Sequence, residues 1–203
     1  MLRLRAGDVV TVADGRGGWR RCRLGAGGRL DPDGEVVRDL PPDPLLTVAF
    51  ALTKGERPEL AVQKLTELGV DRIVPFPASR SVVVWDGERA HRHLARLRRV
   101  AREAAVQSRR SRLPEVSDLV SLASLLEEPG AVVADPSGGP PSLATPTIVV
   151  GPEGGFSAEE RDLARGSVRL GPNVLRAETA AMAAGALLVA LREGIAGPVG
   201  GVG

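Results

Sequence analysis

The chain has one cysteine, Cys22, among 203 residues, which excludes an internal disulfide and any cysteine cluster for a metal. It has two histidines, His91 and His93, and at i, i+2 on a helix they point apart, so the expectation is no metal. Tyrosine is absent, and Trp19, Phe50, Phe76, Trp85 and Phe156 are too few for an aromatic stacking platform. If RNA binds, arginine planes and phosphate contacts must carry most of the contact. No uninterrupted apolar run approaches the roughly 20 residues of a membrane span. The start, MLRLRAGDVV, carries Arg3, Arg5 and Asp8 and no apolar secretory segment. These absences point to a cytoplasmic chain with no membrane partner.

Charge is present but unevenly spread. The formal net charge is only +2, yet ten arginines and three acids (Asp86, Glu88, Glu103) fall between Arg80 and Arg112. Such a basic face attracts phosphate backbones; it also fits a solvated helix in a chain with only two lysines, Lys54 and Lys64.

Residues 1–40 read as short strands, Val9–Val12, Arg20–Leu24 and Val36–Val37, broken by Asp14-Gly15, Gly17-Gly18, Gly27-Gly28 and Asp33-Gly34. They are too few to close a barrel alone. Pro41-Pro42-Asp43-Pro44 makes a stiff boundary, dividing the chain into 1–43 and 44–203. Beyond it strands alternate with helices, the pattern of a mostly parallel α/β sheet. Leu46–Leu52 is a continuous apolar strand, followed by the turn Thr53–Glu56 and a helix with Pro58 in its first turn. Gly69 stops that helix, and Val70–Pro75 is the next strand. The pattern predicts a helix from Asp86 to about Arg110 that buries Leu94, Leu97, Ala101, Ala104 and Ala105. Strands follow at Ala131–Ala134 and Thr147–Val150, then a final helix over about Val174–Glu193 and a disordered tail over 197–203.

Two loops in the last third carry the chemistry. Gly151-Pro152-Glu153-Gly154-Gly155-Phe156 follows the apolar strand ending at Val150. Ser157 with Glu160 three residues on is a capping-box pattern that fixes the next helix start. Glycine lets backbone approach a ligand closely, although a plain tight turn between strand and helix also fits. The second loop repeats the arrangement: Val168-Arg169-Leu170 is a short strand, Gly171-Pro172 turns, and Asn173-Val174-Leu175-Arg176 leads into the final helix. Both junctions open at the C-terminal edge of a parallel sheet, where such folds bind ligands. Neither fits GxGxxG or a phosphate-binding P-loop. Backbone donors and acceptors there suit adenine and ribose edges plus an amino-acid-like end. Ala177–Ala186 fits close helix packing, and it also fits a contact between subunits.

GPEGGFSAEE followed by LGPNVLRAETAAM resembles the C-terminal signature of the RsmE-type ribosomal RNA uridine-N3 methyltransferases of the SPOUT superfamily. TKGERPELAVQKLTELGVDRIVPFPASRS and EAAVQSRRSRLPEV are similar to that family's earlier blocks, in the same order, and the resemblance spans about residues 1–193. It implies a SPOUT-type parallel α/β sheet with a C-terminal trefoil knot, preceded by a small, β-rich PUA-like RNA-binding domain that is only partial here. It also implies a homodimer that uses S-adenosyl-L-methionine to methylate N3 of a uridine in small-subunit ribosomal RNA. Another RNA site, a tRNA, or a non-catalytic RNA-binding role are the alternatives.

Carried over residue by residue, the resemblance places Val150, Gly151, Glu153, Gly154, Gly155, Leu170, Gly171, Val174, Leu175, Arg176 and Thr179 at the cofactor. Thr179 fits equally a back-bond within its own helix. Lys54, Arg57, Arg80, Gln107 and Arg110 are placed at the RNA, while Glu56, Gln63, Lys64, Glu67 and Glu103 match the same blocks. Uridine N3 carries a proton at neutral pH. Arg176 and Arg80 are therefore candidates to stabilise charge on the uracil oxygens, and Glu178 to accept the proton. Two positions depart from the family: Val106 where an acid is frequent, and Arg109 where glycine is usual.

Overall fold

The computed structural model describes residues 4–53, 57–81, 83 and 85–197. Four short strands come first: β1 (Val9–Ala13), β2 (Gly18–Leu24), β3 (Leu30–Pro32) and β4 (Val37–Arg38). β2 pairs antiparallel with all three others. Cys22 is the only buried apolar side chain among the described residues of this sheet. With so little core of its own, the sheet is held by a polar seam to the rest of the chain. Gly17 N–H donates to Ser111 O at 3.1 Å and Leu113 N–H to Gly15 O at 3.0 Å. Asp39 accepts from Trp19 Nε1 and the Ser111 hydroxyl, and Arg112 donates to the Asp39 carbonyl at 2.7 Å. The Ser111 and Trp19 hydrogen bonds, with the Arg112 charge, hold the Asp39 carboxyl below the usual carboxylate range.

The second unit is a six-stranded sheet. Its strands are β5 (Thr47–Ala51), β6 (Arg72–Phe76), β7 (Glu115–Val116), β8 (Ala131–Gly139), β9 (Thr147–Val150) and β10 (Ser167–Val168). They lie in the order β10-β8-β9-β5-β6-β7, and every pairing is parallel. A parallel sheet must be covered on both faces, which explains why β5 is buried along its whole length. Alternate residues point to opposite faces. Val48 and Phe50 join the first core with helices α1 (Arg57–Leu68), α2 (Gly87–Gln107) and α5 (Ala177–Arg192). Ala49 and Ala51 join the second core with Leu122, Leu125 and Leu126 of α3 (Leu122–Glu127) and with Phe156. A further short helix, α4 (Ala158–Asp162), starts on the capping box expected at Ser157 and Glu160. None of the described helices is long and apolar enough to cross a membrane.

The alanine-rich run of α5 packs closely on α1. A side-chain carbon added at Gly185 would lie 2.7 Å from Leu65 and 3.0 Å from Val70. α2 stops three residues before the expected Arg110, because Arg109 takes a left-handed φ of 59°. That conformation explains why glycine would be at home there: a side chain costs about 1 kcal/mol or more at such a φ. α5 begins at Ala177, not Val174, since Arg176 is extended (ψ 154°) and serves as its N-cap position. Asp86 occupies the cap position of α2, but its side chain makes no capping hydrogen bond. The expected tail lies outside the described residues apart from Gly197.

Arg110 was expected to face RNA; instead it turns inward. Its guanidinium donates to the Thr66 and Val70 carbonyls at 2.9 and 2.8 Å and lies 3.6 Å from Asp71. Asp71 also accepts from Leu46 N–H at 3.0 Å and forms a close ion pair with Arg192. Arg192 donates in addition to Gly69 O at 3.1 Å. The carboxylate side chain is 10% exposed, so its removal strands two mostly buried guanidinium groups. Asp71→Ala should therefore lower unfolding free energy in urea by about 3 kcal/mol. A loss below about 0.5 kcal/mol, the scale of a surface substitution, would contradict this role.

Candidate functional site

β8, β9 and β10 are parallel neighbours, so their C-terminal ends lie on one edge, and each hands the chain to a loop there. Those loops enclose a cavity of about 340 Å³. Val150, Gly151, Glu153, Gly154 and Gly155 line it from the first loop, and Leu170, Gly171, Val174 and Leu175 from the second. These are nine of the eleven positions expected at a cofactor. The other two, Arg176 and Thr179, are exposed and do not line the cavity.

The structure adds residues that the sequence did not single out. Ala134, Asp135 and Pro136 come from the end of β8; Phe156 and Arg161 follow the first loop; Asn173, Ala177 and Ala180 complete the far wall. Only the strand order, which sets β8 between β9 and β10, brings Asp135 to the cavity. Hydrogen bonds from the Ser137 hydroxyl and N–H, with the nearby Arg161 charge, hold the Asp135 carboxyl below its usual range.

The glycines serve different purposes. Gly155 has φ 67°, which favours glycine. A side-chain carbon on Gly151 would meet the Phe156 ring at 3.0–3.2 Å, so that ring, part of the second core, closes over bare backbone. One on Gly154 would meet only Arg80 carbons at 3.7 Å, an ordinary contact. With Arg176 offering no side-chain cap, the first-turn N–H groups of α5 remain a positive end beside Ala177 at the cavity wall.

The β6–α2 connection clasps the first loop and the start of α4. Arg80 donates to Gly154 O at 2.9 Å, and Ser79 N–H donates to Glu160 at 2.8 Å. Burial raises the Glu160 pKa, but the Ser79 and Ser157 hydrogen bonds and the Arg80 charge outweigh it, and the net direction is down. On the other side Arg57 forms a close ion pair with Glu153 and lies 3.9 Å from Glu178. Glu178 is 13% exposed, and its Oε2 is buried without a hydrogen-bond partner. Lys54 and Glu56 lie outside the described residues. Gln107 is on the outer surface of α2, beside α1 and away from the cavity lining. Among the described residues no three His, Cys, Asp or Glu side chains come together as a metal cluster would require.

A backbone-walled cavity at the C-terminal edge of a parallel sheet, within the usual size range of small-ligand pockets, defines an α/β ligand-binding domain. Residues 41–189 match the family model of the RNA methyltransferase domain. The chain is 37% identical over 204 residues to ribosomal RNA small subunit methyltransferase E of Mycobacterium bovis, covering 90% of this chain and 78% of that protein. It is 32% identical to the Bacillus subtilis protein of the same name, covering 89% and 80%. The solved ribosomal RNA small subunit methyltransferase E of Neisseria gonorrhoeae, bound to S-adenosyl methionine, superposes with a TM-score of 0.75 at 30% identity, covering 93% and 86%. The chain belongs to this family of RNA methyltransferases, in the group named ribosomal RNA small subunit methyltransferase E.

The packing at Gly151 gives a direct check. Gly151→Val should cost about 1–3 kcal/mol and lower the thermal midpoint by about 3–8 °C. Gly154→Val should leave the midpoint within about 2 °C, because its neighbours are at ordinary contact distance. Equal shifts in the two variants would show that the Phe156 contact does not distinguish them.

Proposed function

We propose that the chain binds S-adenosyl-L-methionine in the loop cavity and methylates N3 of a uridine in small-subunit ribosomal RNA. The observation that carries this reading is the cavity itself, walled by the backbone of the two loops at the C-terminal edge of the parallel sheet in a chain of this family. The fit to the methyl donor is chemical. Val150, Leu170, Leu175 and Ala180 offer apolar walls, the two loops offer backbone donors and acceptors, and Asp135 offers an ionised carboxylate. When bound, S-adenosylmethionine supplies an electrophilic methyl group for an in-line displacement that needs no metal. The chain then holds the nucleophile on that line, an entropic contribution.

Glu178, with its unpartnered buried oxygen, takes the N3 proton of uridine. The N3 lone pair forms the new N–C bond as the S–C bond breaks. Arg176, exposed at the start of α5, and Arg80, beside the first loop, stabilise negative charge on the uracil oxygens. Arg57, Arg80, Gln107 and Lys54 contact RNA in this reading.

Three architectural features belong to the same proposal. After β9 the chain passes β8 to form the edge strand β10, and α5 then returns to pack on α1 and β5. We read that path as the trefoil knot of SPOUT enzymes. The protein works as a homodimer: Val174, apolar, 89% exposed and on the cavity lip, is suited to cover by a second subunit. The N-terminal sheet is a PUA-like RNA-binding module, with Arg21 and Arg23 exposed on β2.

Undermethylated small subunits incubated with methyl-labelled S-adenosylmethionine should yield label only as 3-methyluridine, at one position. Glu178→Gln should lower kcat by about 10²-fold without changing cofactor affinity. Label on a ribose or on tRNA would overturn the N3 assignment while leaving the family intact. A Glu178→Gln variant of full activity would remove the proposed base.

A further inference from the structure

A second recess, of about 630 Å³, lies between α1 and α2, away from the donor cavity. Leu60, Val100 and Ala104 give it an apolar surface, and Gln63, Arg99 and Gln107 stand around it. Gln63 and Gln107 are exposed, and neither amide hydrogen-bonds to another described residue. Both acids nearby face an arginine: Glu59 pairs through Oε1 with Arg96 at 3.0 Å, its Oε2 being buried without a hydrogen-bond partner, and Glu103 lies 3.7 Å from Arg99. Each guanidinium at the recess has an acidic partner, Arg57 pairing with Glu153, but the Arg99–Glu103 pair is loose and both its side chains are exposed, so Arg99 is the one that can turn to an incoming anion.

The lining selects a chemistry. Two free amides each offer a donor and an acceptor, the set that reads a nucleobase edge. An apolar surface accepts the face of a base, and a guanidinium accepts its phosphate or stacks on its plane. The volume suits a single small ligand of nucleotide size. Paired bases keep their edges engaged, so the fit is to an unpaired nucleotide.

Position links this recess to the reaction. Arg57, at the start of α1, lines the recess and at the same time pairs with Glu153 on the donor-cavity loop. A strand that delivers a base to the donor cavity can therefore continue into the recess past one residue. We propose that the α1–α2 recess is a second RNA subsite. In it Gln63 and Gln107 read the base of an unpaired nucleotide near the target, and Arg99 meets its phosphate. This rests on reading the chain as an enzyme acting on RNA, but not on which atom is methylated.

The test uses the full chain and a short single-stranded RNA of mixed sequence, followed by fluorescence anisotropy across a salt series. The double variant Gln63→Ala/Gln107→Ala should weaken binding about tenfold with little change in salt dependence. Arg99→Glu should weaken binding and reduce the salt slope by about one contact. Cofactor affinity and sedimentation should match the unsubstituted protein in both, since these exposed side chains touch neither core nor donor cavity. Unchanged RNA affinity in both variants would overturn the subsite, as would no single-stranded RNA binding by the unsubstituted chain. A changed association state would assign the recess to a second copy instead, and also overturns it. If the unsubstituted chain binds RNA as described yet methylates no ribosomal uridine, the proposed function fails while the subsite stands.

Discussion

One carboxylate, Asp71, ties together the ends of four elements. It accepts the backbone N–H of Leu46 at the entry to β5 and sits immediately before β6. It faces Arg110 from the end of α2 and Arg192 from the end of α5. The two guanidinium groups then satisfy carbonyls at the end of α1, including Thr66, Gly69 and Val70. Buried charge is costly unless paired and hydrogen-bonded, and here the arrangement meets both conditions. Consequently the first sheet strands, α1, α2 and the last helix share one fixed reference point.

That point lies at the N-terminal edge of the parallel sheet, and the loop cavity lies at the opposite edge. The separation divides stability from ligand chemistry. α5 spans the two: its last turn is anchored at Asp71, while Ala177 and Ala180 in its first turns wall the cavity. Close packing of Gly185 on Leu65 keeps the helix against α1 between those ends. α2 carries the anchoring in another direction. Just beyond Arg110, Ser111 and Arg112 hold the N-terminal sheet through Asp39. A sheet with almost no core is thereby oriented by the same segment that fixes the catalytic domain.

Much of this was legible in the residues. The continuous apolar runs at 46–52 and 147–150 announced buried parallel strands, and the stripe Leu94, Leu97, Ala101, Ala104, Ala105 is the buried face of α2. Ser157 and Glu160 form the expected capping box. β7 escaped because two residues carry no readable period, whereas the short strand expected at Val168–Leu170 is found one residue earlier, as β10 at Ser167–Val168. A charged residue in a basic run gives no sign of facing inward, as Arg110 does; only the chain path past Thr66 and Val70 supplies its carbonyl partners. Asp135 was missed for a topological reason, since nothing local says that β8 lies between β9 and β10. The glycines of the first loop were visible, but which one is spatially indispensable was not: Gly151 lies under Phe156, whereas Gly154 has room.

In this reading the two loops and the first turn of α5 form a site for S-adenosylmethionine. The decisive experiment is a calorimetric titration of the purified chain with S-adenosylmethionine, repeated after saturation with S-adenosylhomocysteine. Binding should be saturable and abolished by competition from the demethylated product. Absence of binding, or binding untouched by the product, would rule out S-adenosylmethionine as the occupant of this site.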